Sequence, residues 1–134
     1  MKDSTRQSEQ EKMVEAGLIT AEDELVDGVR VTCIAGPLGT VCKQGWWAYF
    51  TKEKLVLFMG TALGYGGFNK KGKVIPYRNI RGINKCPYMF FPLGVAIDYE
   101  EPDTGSLATE KVYFGPGGSK WKGFLAEKAG LGQV

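Results

Sequence analysis

Gly45–Phe58, GWWAYFTKEKLVLF, is the stretch that most restricts what this chain can fold into. Two runs rich in aromatic and aliphatic residues, Trp46–Phe50 and Leu55–Met59, flank the polar tetrad Thr51-Lys52-Glu53-Lys54. Runs of this kind fit a pleated surface. The connection between them makes them antiparallel neighbours, because parallel strands need a crossover of about a dozen residues or more. Trp46 and Trp47 are adjacent, so in a strand one points inward and the other outward. The core explains one of them; Trp47 is assigned to an interface.

The rest of the chain adds strands on both sides. In Leu25–Ala35, Val29, Val31 and Cys33 alternate with Arg30 and Thr32, the pattern of a half-buried strand. Gly36-Pro37-Leu38-Gly39 is a turn by composition. Gly60–Gly72, with five glycines, is expected to be a long mobile loop. Lys73–Tyr77 reads as a strand that Pro76 ends or places at an edge. Arg78–Ile80 fits one helical turn and Gly82–Lys85 a short strand. Leu93–Glu100 and Leu107–Phe114 pair around the turn Glu101–Ser106.

Ser119 is the expected N-cap of a closing helix, with Trp121, Phe124, Leu125 and Ala129 on one face and Gly130 as its stop. Residues 1–12 lack apolar content and are expected to fray, and Glu9–Ile19 fits a short helix with Met13, Ala16 and Ile19 inward. The organisation is therefore a tail over 1–24, partly disordered or a short helix, and one domain over 25–134. Six or seven short antiparallel strands tend to curl into a barrel or sandwich, and the aromatic helix is suited to plug its open end.

Composition excludes several chemistries. The chain has no histidine, so neither a Ser-His-Asp nor a Cys-His nucleophile system can be built, and the usual imidazole ligands of zinc hydrolases are missing. Cys33, Cys42 and Cys86 are odd in number and lack CxxC spacing, which indicates neither a disulfide framework nor a structural zinc site. They read as free thiols, with a facing pair of Cys33 and Cys42 on neighbouring strands left open. Gly64–Lys70 fails the GxGxxG pattern because Asn69 occupies the sixth position. Glu100, Glu101 and Asp103 read as a solvated turn. No metal, cofactor or catalytic residue is expected. No apolar run approaches the roughly 20 residues of a membrane-spanning helix. MKDSTRQSEQEK has no apolar core of a secretory signal, so a cytoplasmic location, peripheral to a membrane at most, is expected.

Two patches carry a family resemblance. Ala48-Tyr49-Phe50-Thr51-Lys52-Glu53-Lys54-Leu55-Val56-Leu57-Phe58 and Val74-Ile75-Pro76-Tyr77-Arg78-Asn79-Ile80 resemble the "lyfTnkrLvlf" and "ipyrnI" patterns of the GRAM and bacterial pleckstrin-homology-like branch of the pleckstrin-homology superfold. The resemblance spans roughly Leu25–Ala129. It implies a mainly β fold, a bent barrel of about seven antiparallel strands capped by a C-terminal α-helix, and a non-enzymatic binding module. One departure bears on ligand. Phosphoinositide-binding members of the superfold carry several Lys and Arg in and after the loop between the first two strands. Here that loop offers Lys43 alone, and Trp46-Trp47-Ala48-Tyr49 follows.

The net charge of +2 hides a segregation: residues 1–30 carry −4, residues 31–99 carry +7 and residues 100–134 carry −1. Such segregation bears on partners rather than on fold. Lys70, Lys71, Lys73, Arg78, Arg81 and Lys85 form the candidate site for an anionic lipid or acidic partner; otherwise they are a solvated surface. Cys86–Pro92 follows as an apolar loop, in which Tyr88, Met89, Phe90 and Phe91 are either a contact for lipid or a partner chain, or core. Nucleic acid ranks behind these, since the aromatic strand is nearly uncharged and the pI is about 8.4. The expected function is an adaptor that docks on a protein partner or weakly on an anionic membrane. The alternative is a self-assembling domain with the apolar loop in its oligomer interface.

Overall fold

The structure is a computed structural model that describes residues 3–15, 17–59, 71–116 and 118–131. Helix α1 (Asp3–Glu15) precedes β1 (Leu25–Ala35), β2 (Val41–Thr51), β3 (Lys54–Met59), β4 (Lys71–Pro76), β5 (Ile80–Tyr88), β6 (Phe91–Glu100) and β7 (Leu107–Tyr113), and α2 (Ser119–Lys128) closes the chain. Among the described residues the strands form one antiparallel sheet in the order β4-β3-β2-β1-β7-β6-β5. Its edges, β4 and β5, are not hydrogen-bonded to each other, so the barrel stays open along that seam. Pro76 ends edge strand β4, where its missing N–H disturbs no ladder.

The register of the central hairpin explains why its sequence shows no clean alternation. Trp47 faces Phe58, Ala48 faces Leu57, Tyr49 faces Val56 and Phe50 faces Leu55. Ala48, Phe50, Leu55 and Leu57 point into the barrel, where they join Ile75, Ile83, Ile97, Tyr99 and Val112. Tyr49, Val56 and Phe58 point to the opposite face and are also buried, beneath Met13, Ile19 and Leu25. A strand covered on both sides reads as a continuous apolar run.

The cover on the outer face comes from the amino-terminal segment. Helix α1 starts at Asp3, inside the stretch expected to fray, and reaches Glu15. Met13 is fully buried, and the other anchors are polar. The Tyr49 hydroxyl donates to Glu9 Oε2 (2.7 Å), and Gln10 Nε2 donates to the Asp23 carbonyl (2.8 Å). Polar anchors leave no apolar stripe in 1–12, which is why composition alone suggested a tail.

Inside the barrel α2 docks through aromatics. Trp121 stacks on Phe50 at 4.4 Å and 8°, and Phe124 meets Phe50 edge-on at 5.2 Å. The Tyr77 hydroxyl donates to the Thr51 carbonyl (2.7 Å), fixing the 3-10 turn Tyr77–Asn79 beside the β2–β3 turn. Gly118, not Ser119, occupies the N-cap of α2. A Cβ at Gly118 would lie 2.7 Å from Phe114 Cβ, so close approach decides that position. At the other end Gly130 adopts φ +73, with its N–H on the Glu127 carbonyl and the Leu131 N–H on the Ala126 carbonyl, the Schellman stop expected of that glycine.

Several boundaries differ from expectation. Gly60–Gly72 lies mostly outside the described residues, and Gly72 itself pairs with Phe58 in β4. Strand β5 runs to Tyr88 and β6 begins at Phe91, so Cys86–Pro92 is mostly ladder rather than loop, with a bulge between Cys86 and Tyr88 that accommodates Pro87. Cys33 lies opposite Lys43, and Cys42 opposite Ile34. That register separates the two thiols, and all three cysteines are free.

Met13→Ala is expected to remove about 2–3 kcal/mol of stability in a denaturant titration, the usual loss for a buried methionine; a loss below about 0.5 kcal/mol would show that α1 is not docked. Asp23 gives a second test. Burial pushes its carboxyl up, but bonds from the Thr20 N–H (2.9 Å) and the Lys54 ammonium (2.9 Å) prevail and hold it below the ordinary 3.8. A carboxyl lowered by folding stabilises above its unfolded value and loses that contribution as pH falls through its folded value. The stability gap between wild type and Asp23→Asn is therefore expected to narrow from neutral pH to below 3.8; an unchanged gap contradicts the assignment.

Candidate functional site

The β5–β6 hairpin turns on two residues, Met89 and Phe90, between the pair Tyr88 and Phe91. Met89 has φ 49 and Phe90 φ 75, the signs a type I′ turn requires and Asn-Gly supplies most readily. A side chain larger than that in the left-handed region costs about 1–2 kcal/mol per residue. The tip rests on the β1–β2 turn. Met89 N–H donates to the Gly39 carbonyl (3.1 Å) and Phe90 N–H to the Leu38 carbonyl (3.0 Å). A Cβ on Gly39 would fall 2.1 Å from the Pro87 carbonyl oxygen, so glycine alone permits the contact. Leu38 has φ 54, which makes Leu38, Met89 and Phe90 the non-glycine residues with positive φ among those described. All three stand at this one corner.

Burial does not explain the apolar side chains kept there. Phe90 is 65% exposed and Phe91 64%, with Leu38, Val41, Met89 and Leu93 also exposed. Tyr88 is half-buried and stacks on Tyr113 at 4.1 Å and 13°. The chain segments at this corner, residues 34–43, 85–93 and 111–116, contain no Asp or Glu, although the charge of Glu110, next to Lys111, reaches Cys33 opposite Lys43. They contribute exposed Lys43, Lys85 and Lys111, none of which forms an ion pair among the described residues.

The fold divides the basic set expected to act together. Lys70 lies outside the described residues and Lys71 opens β4. Lys73 lies opposite Leu57, on the core-facing side, and its ammonium meets Glu110 (3.2 Å) and Glu101 (3.4 Å). Burial alone would lower Lys73; the Tyr99 hydroxyl and Glu110 beside it hold the ammonium well above the usual lysine range. Burial and the Glu110 charge push the Tyr99 phenol up to about 12. Arg81 pairs with Glu100 (3.1 Å) and donates to the Arg78 carbonyl (2.7 Å). Arg78 is exposed beside it. This end lies roughly 23 Å along β5 from the tip, at about 3.3 Å per residue. Lys85 is the member that stays near Tyr88–Phe91.

Trp47 is half-buried on the outer face, stacked on Tyr49 at 5.8 Å with the Arg30 guanidinium 5.4 Å above its ring. Trp46 packs against the barrel core, so the adjacent pair does divide between faces. Burial, then the Glu110 charge, pushes the Cys33 thiol up to about 11, and burial raises Cys86, so neither of these two is activated.

Beneath the tip lies a cavity of about 310 Å³, walled by Leu93, Val95, Tyr113 and Phe114 and lined also by Lys85 and Lys122. Sequence reasoning named Lys43 only as the lone basic residue of the loop between the first two strands and Leu38 only as a turn residue, and did not reach Val41, Lys111 or Lys122. Only the acid-free runs around them were available as a signal, and they become meaningful once the register brings them to one corner.

No family model matches the chain. No curated protein matches it either. Solved structures do. The PDZ-RhoGEF DH/PH domains, in complex with GTP-γ-S activated RhoA, superpose with a TM-score of 0.60 at 10% identity over 98% of this chain and 37% of that one. The fold is pleckstrin-homology-like. The DH/PH domains of p115-RhoGEF (R399E mutant) give 0.56 at 12% identity over 96% of this chain, again 37% of theirs. The hSac2 domain from human phosphoinositide phosphatase Sac2 gives 0.55 at 8% identity, covering 100% of this chain and 87% of that one. The chain thus spans little more than a third of the RhoGEF structures. At these identities the likeness concerns the fold, and it agrees with the capped, bent, seven-stranded arrangement expected from the two sequence patches.

Replacing the PH-like domain's tip by Met89→Asn with Phe90→Gly is expected to raise stability by about 1 kcal/mol or more, because the left-handed turn then carries residues suited to it. Unchanged or lower stability in urea would show that the tip is not strained.

Proposed function

We propose that this PH-like domain is a non-enzymatic binding module that docks peripherally on an anionic membrane surface, with the β5–β6 tip and the β1–β2 turn as its contact. The observation that carries this reading is the combination at one corner: bulky apolar side chains held exposed in left-handed conformations, with Lys43 and Lys85 nearby and without an ion pair among the described residues. A lipid interface answers both features, since it takes apolar side chains to the acyl boundary and holds anions at headgroup level. The patches similar to the GRAM branch support a binding role. So does the structural likeness to a domain of a phosphoinositide phosphatase, while the likeness to a RhoGEF complexed with RhoA keeps a protein partner in view. The expected cytoplasmic, membrane-peripheral placement belongs to the same proposal.

Electrostatics argues against self-assembly through the same corner. A twofold contact sets a patch against its own copy, which would bring Lys43, Lys85 and Lys111 toward their equivalents. Like charges across an interface oppose association. The contribution of these lysines to a membrane is about 1 kcal/mol each within a Debye length, so attachment is expected to be reversible and salt-sensitive.

Cosedimentation with anionic and zwitterionic vesicles at low and physiological salt tests the reading. Wild type is expected to pellet with anionic vesicles only, and more weakly as salt rises. Lys43→Ala with Lys111→Ala is expected to reduce binding by about tenfold or more, and Phe90→Ser with Phe91→Ser to reduce it by a comparable factor. Wild type that stays in the supernatant at both salt concentrations overturns the membrane reading. A concentration-dependent rise in mass by light scattering, abolished by Phe90→Ser, would favour the self-assembling alternative.

A further inference from the structure

Two lysines occupy core-facing positions of the sheet, and their surroundings differ. Lys73, opposite Leu57, has Glu101 and Glu110 as counter-ions. Lys85 lies opposite Val95, which itself faces Val112, in the same inward set as Ile83 and Ile97. No described carboxylate forms an ion pair with Lys85. Instead it borders the cavity beneath the tip, whose second cation is Lys122 on the first turns of α2. Lys122 is half-buried and is likewise without an ion pair among the described residues.

An apolar residue at position 85 would extend the barrel wall, since Val95 and Val112 on the neighbouring strands are buried. A cation there leaves a charged opening beside an apolar surface. The apolar part of the same lining includes Leu93, Val95 and Phe114. The occupant that matches is an anion joined to an apolar group. At about 310 Å³ the cavity lies at the small end of ligand sites, which run from about 300 to 1,000 Å³. That is room for a phosphoglycerol group and the start of its chains, not for a whole lipid. Pro92 and Leu93 belong both to the cavity lining and to the strand leaving the tip. Insertion of the tip would therefore bring the mouth of the cavity to headgroup depth.

We propose that this cavity seats the phosphate of one glycerophospholipid, with the anion between Lys85 and Lys122 and the glycerol and first acyl carbons against Leu93, Val95 and Phe114. The proposal rests on the membrane reading above and deepens it from a charged surface to a defined lipid site. It differs from the usual phosphoinositide site of the superfold, which lies around the β1–β2 loop, where this chain offers Lys43 alone.

The test uses the full chain, labelled with nitrogen-15, titrated with monomeric dihexanoyl phosphatidic acid and, separately, with inorganic phosphate. The short-chain lipid is expected to give saturable amide shifts at Lys85, Leu93–Val95 and Gly115–Lys122, with inorganic phosphate much weaker at the same positions. Lys85→Ala with Lys122→Ala is expected to weaken lipid binding by at least about tenfold, since two charge-assisted contacts are lost. Lys52→Ala with Arg78→Ala removes the same charge elsewhere and is expected to bind as wild type does. Equal affinity for inorganic phosphate overturns the lipid assignment and leaves an anion site. Equal weakening by both double variants, or shifts confined to other residues, overturns the cavity altogether. If wild type pellets with anionic vesicles but shows no saturable shifts, the cavity proposal fails while membrane docking stands. If it does neither, both fail.

Discussion

The two halves of the sheet are joined along the chain's own ladder by very little. Strand β1 pairs with β7 at Thr32–Tyr113 and Cys33–Val112, and β4 and β5 share no hydrogen bonds at the opposite seam. What holds the halves at a fixed distance is the material between them, above all the stack of Trp121 on Phe50 with Phe124 edge-on to both. Offset and edge-on aromatic contacts contribute about 0.5–1.5 kcal/mol beyond the area they bury. Phe50 lies on β2, in the half formed by β1–β4. Phe114, at the end of β7, approaches the same ring at 6.5 Å. Helix α2 therefore both plugs the barrel and sets the spacing of the sheet halves, and the cavity lined by Lys85 and Lys122 depends on that spacing.

Most of the fold was legible in the sequence because its signals are local. The tetrad Thr51–Lys54 dictates a hairpin, Gly130 dictates a helix stop, and Trp121, Phe124 and Leu125 fall on one face at helical spacing. Three features were not legible, each for a physical reason. The docking of α1 uses Glu9, Gln10 and Met13, and two polar anchors with one methionine leave no periodic trace. The N-cap of α2 is set by the approach of Gly118 to Phe114, a tertiary contact. The turn Met89-Phe90 contradicts turn propensity, since neither residue favours positive φ; the ladder on both sides and the bonds to Leu38 and Gly39 impose it.

The site was legible in half. Met89–Phe91 is exposed at a tip, as one of the two readings of that loop required, while Tyr88 is half-buried against Tyr113. The basic set is distributed by folding in a way linear charge cannot reveal. Lys52 and Lys54 pair with Glu24 and Asp23 from the acidic amino-terminal segment, while Lys73 and Arg81 pair with Glu100, Glu101 and Glu110 from the carboxy-terminal one. The acidic ends of the chain thus neutralise much of its basic middle. Lys43 and Lys85 are left beside the apolar corner, while Lys111 lies opposite Ala96 on the other face of the sheet from Lys85. Charge segregation along the sequence becomes a polarity of the folded body: ion-paired at the Glu100–Glu110 end, cationic and apolar at the tip.

Under the proposed docking, that polarity predicts an orientation on the membrane, and orientation is directly measurable. Backbone amides can be observed in anionic bicelles containing a spin-labelled lipid, whose unpaired electron broadens signals near it. The account predicts broadening concentrated at Leu38–Val41 and Tyr88–Leu93, with Arg78–Arg81 and Glu100–Ser106 unaffected. Broadening centred on Arg78–Arg81, or spread evenly over the domain, would contradict it.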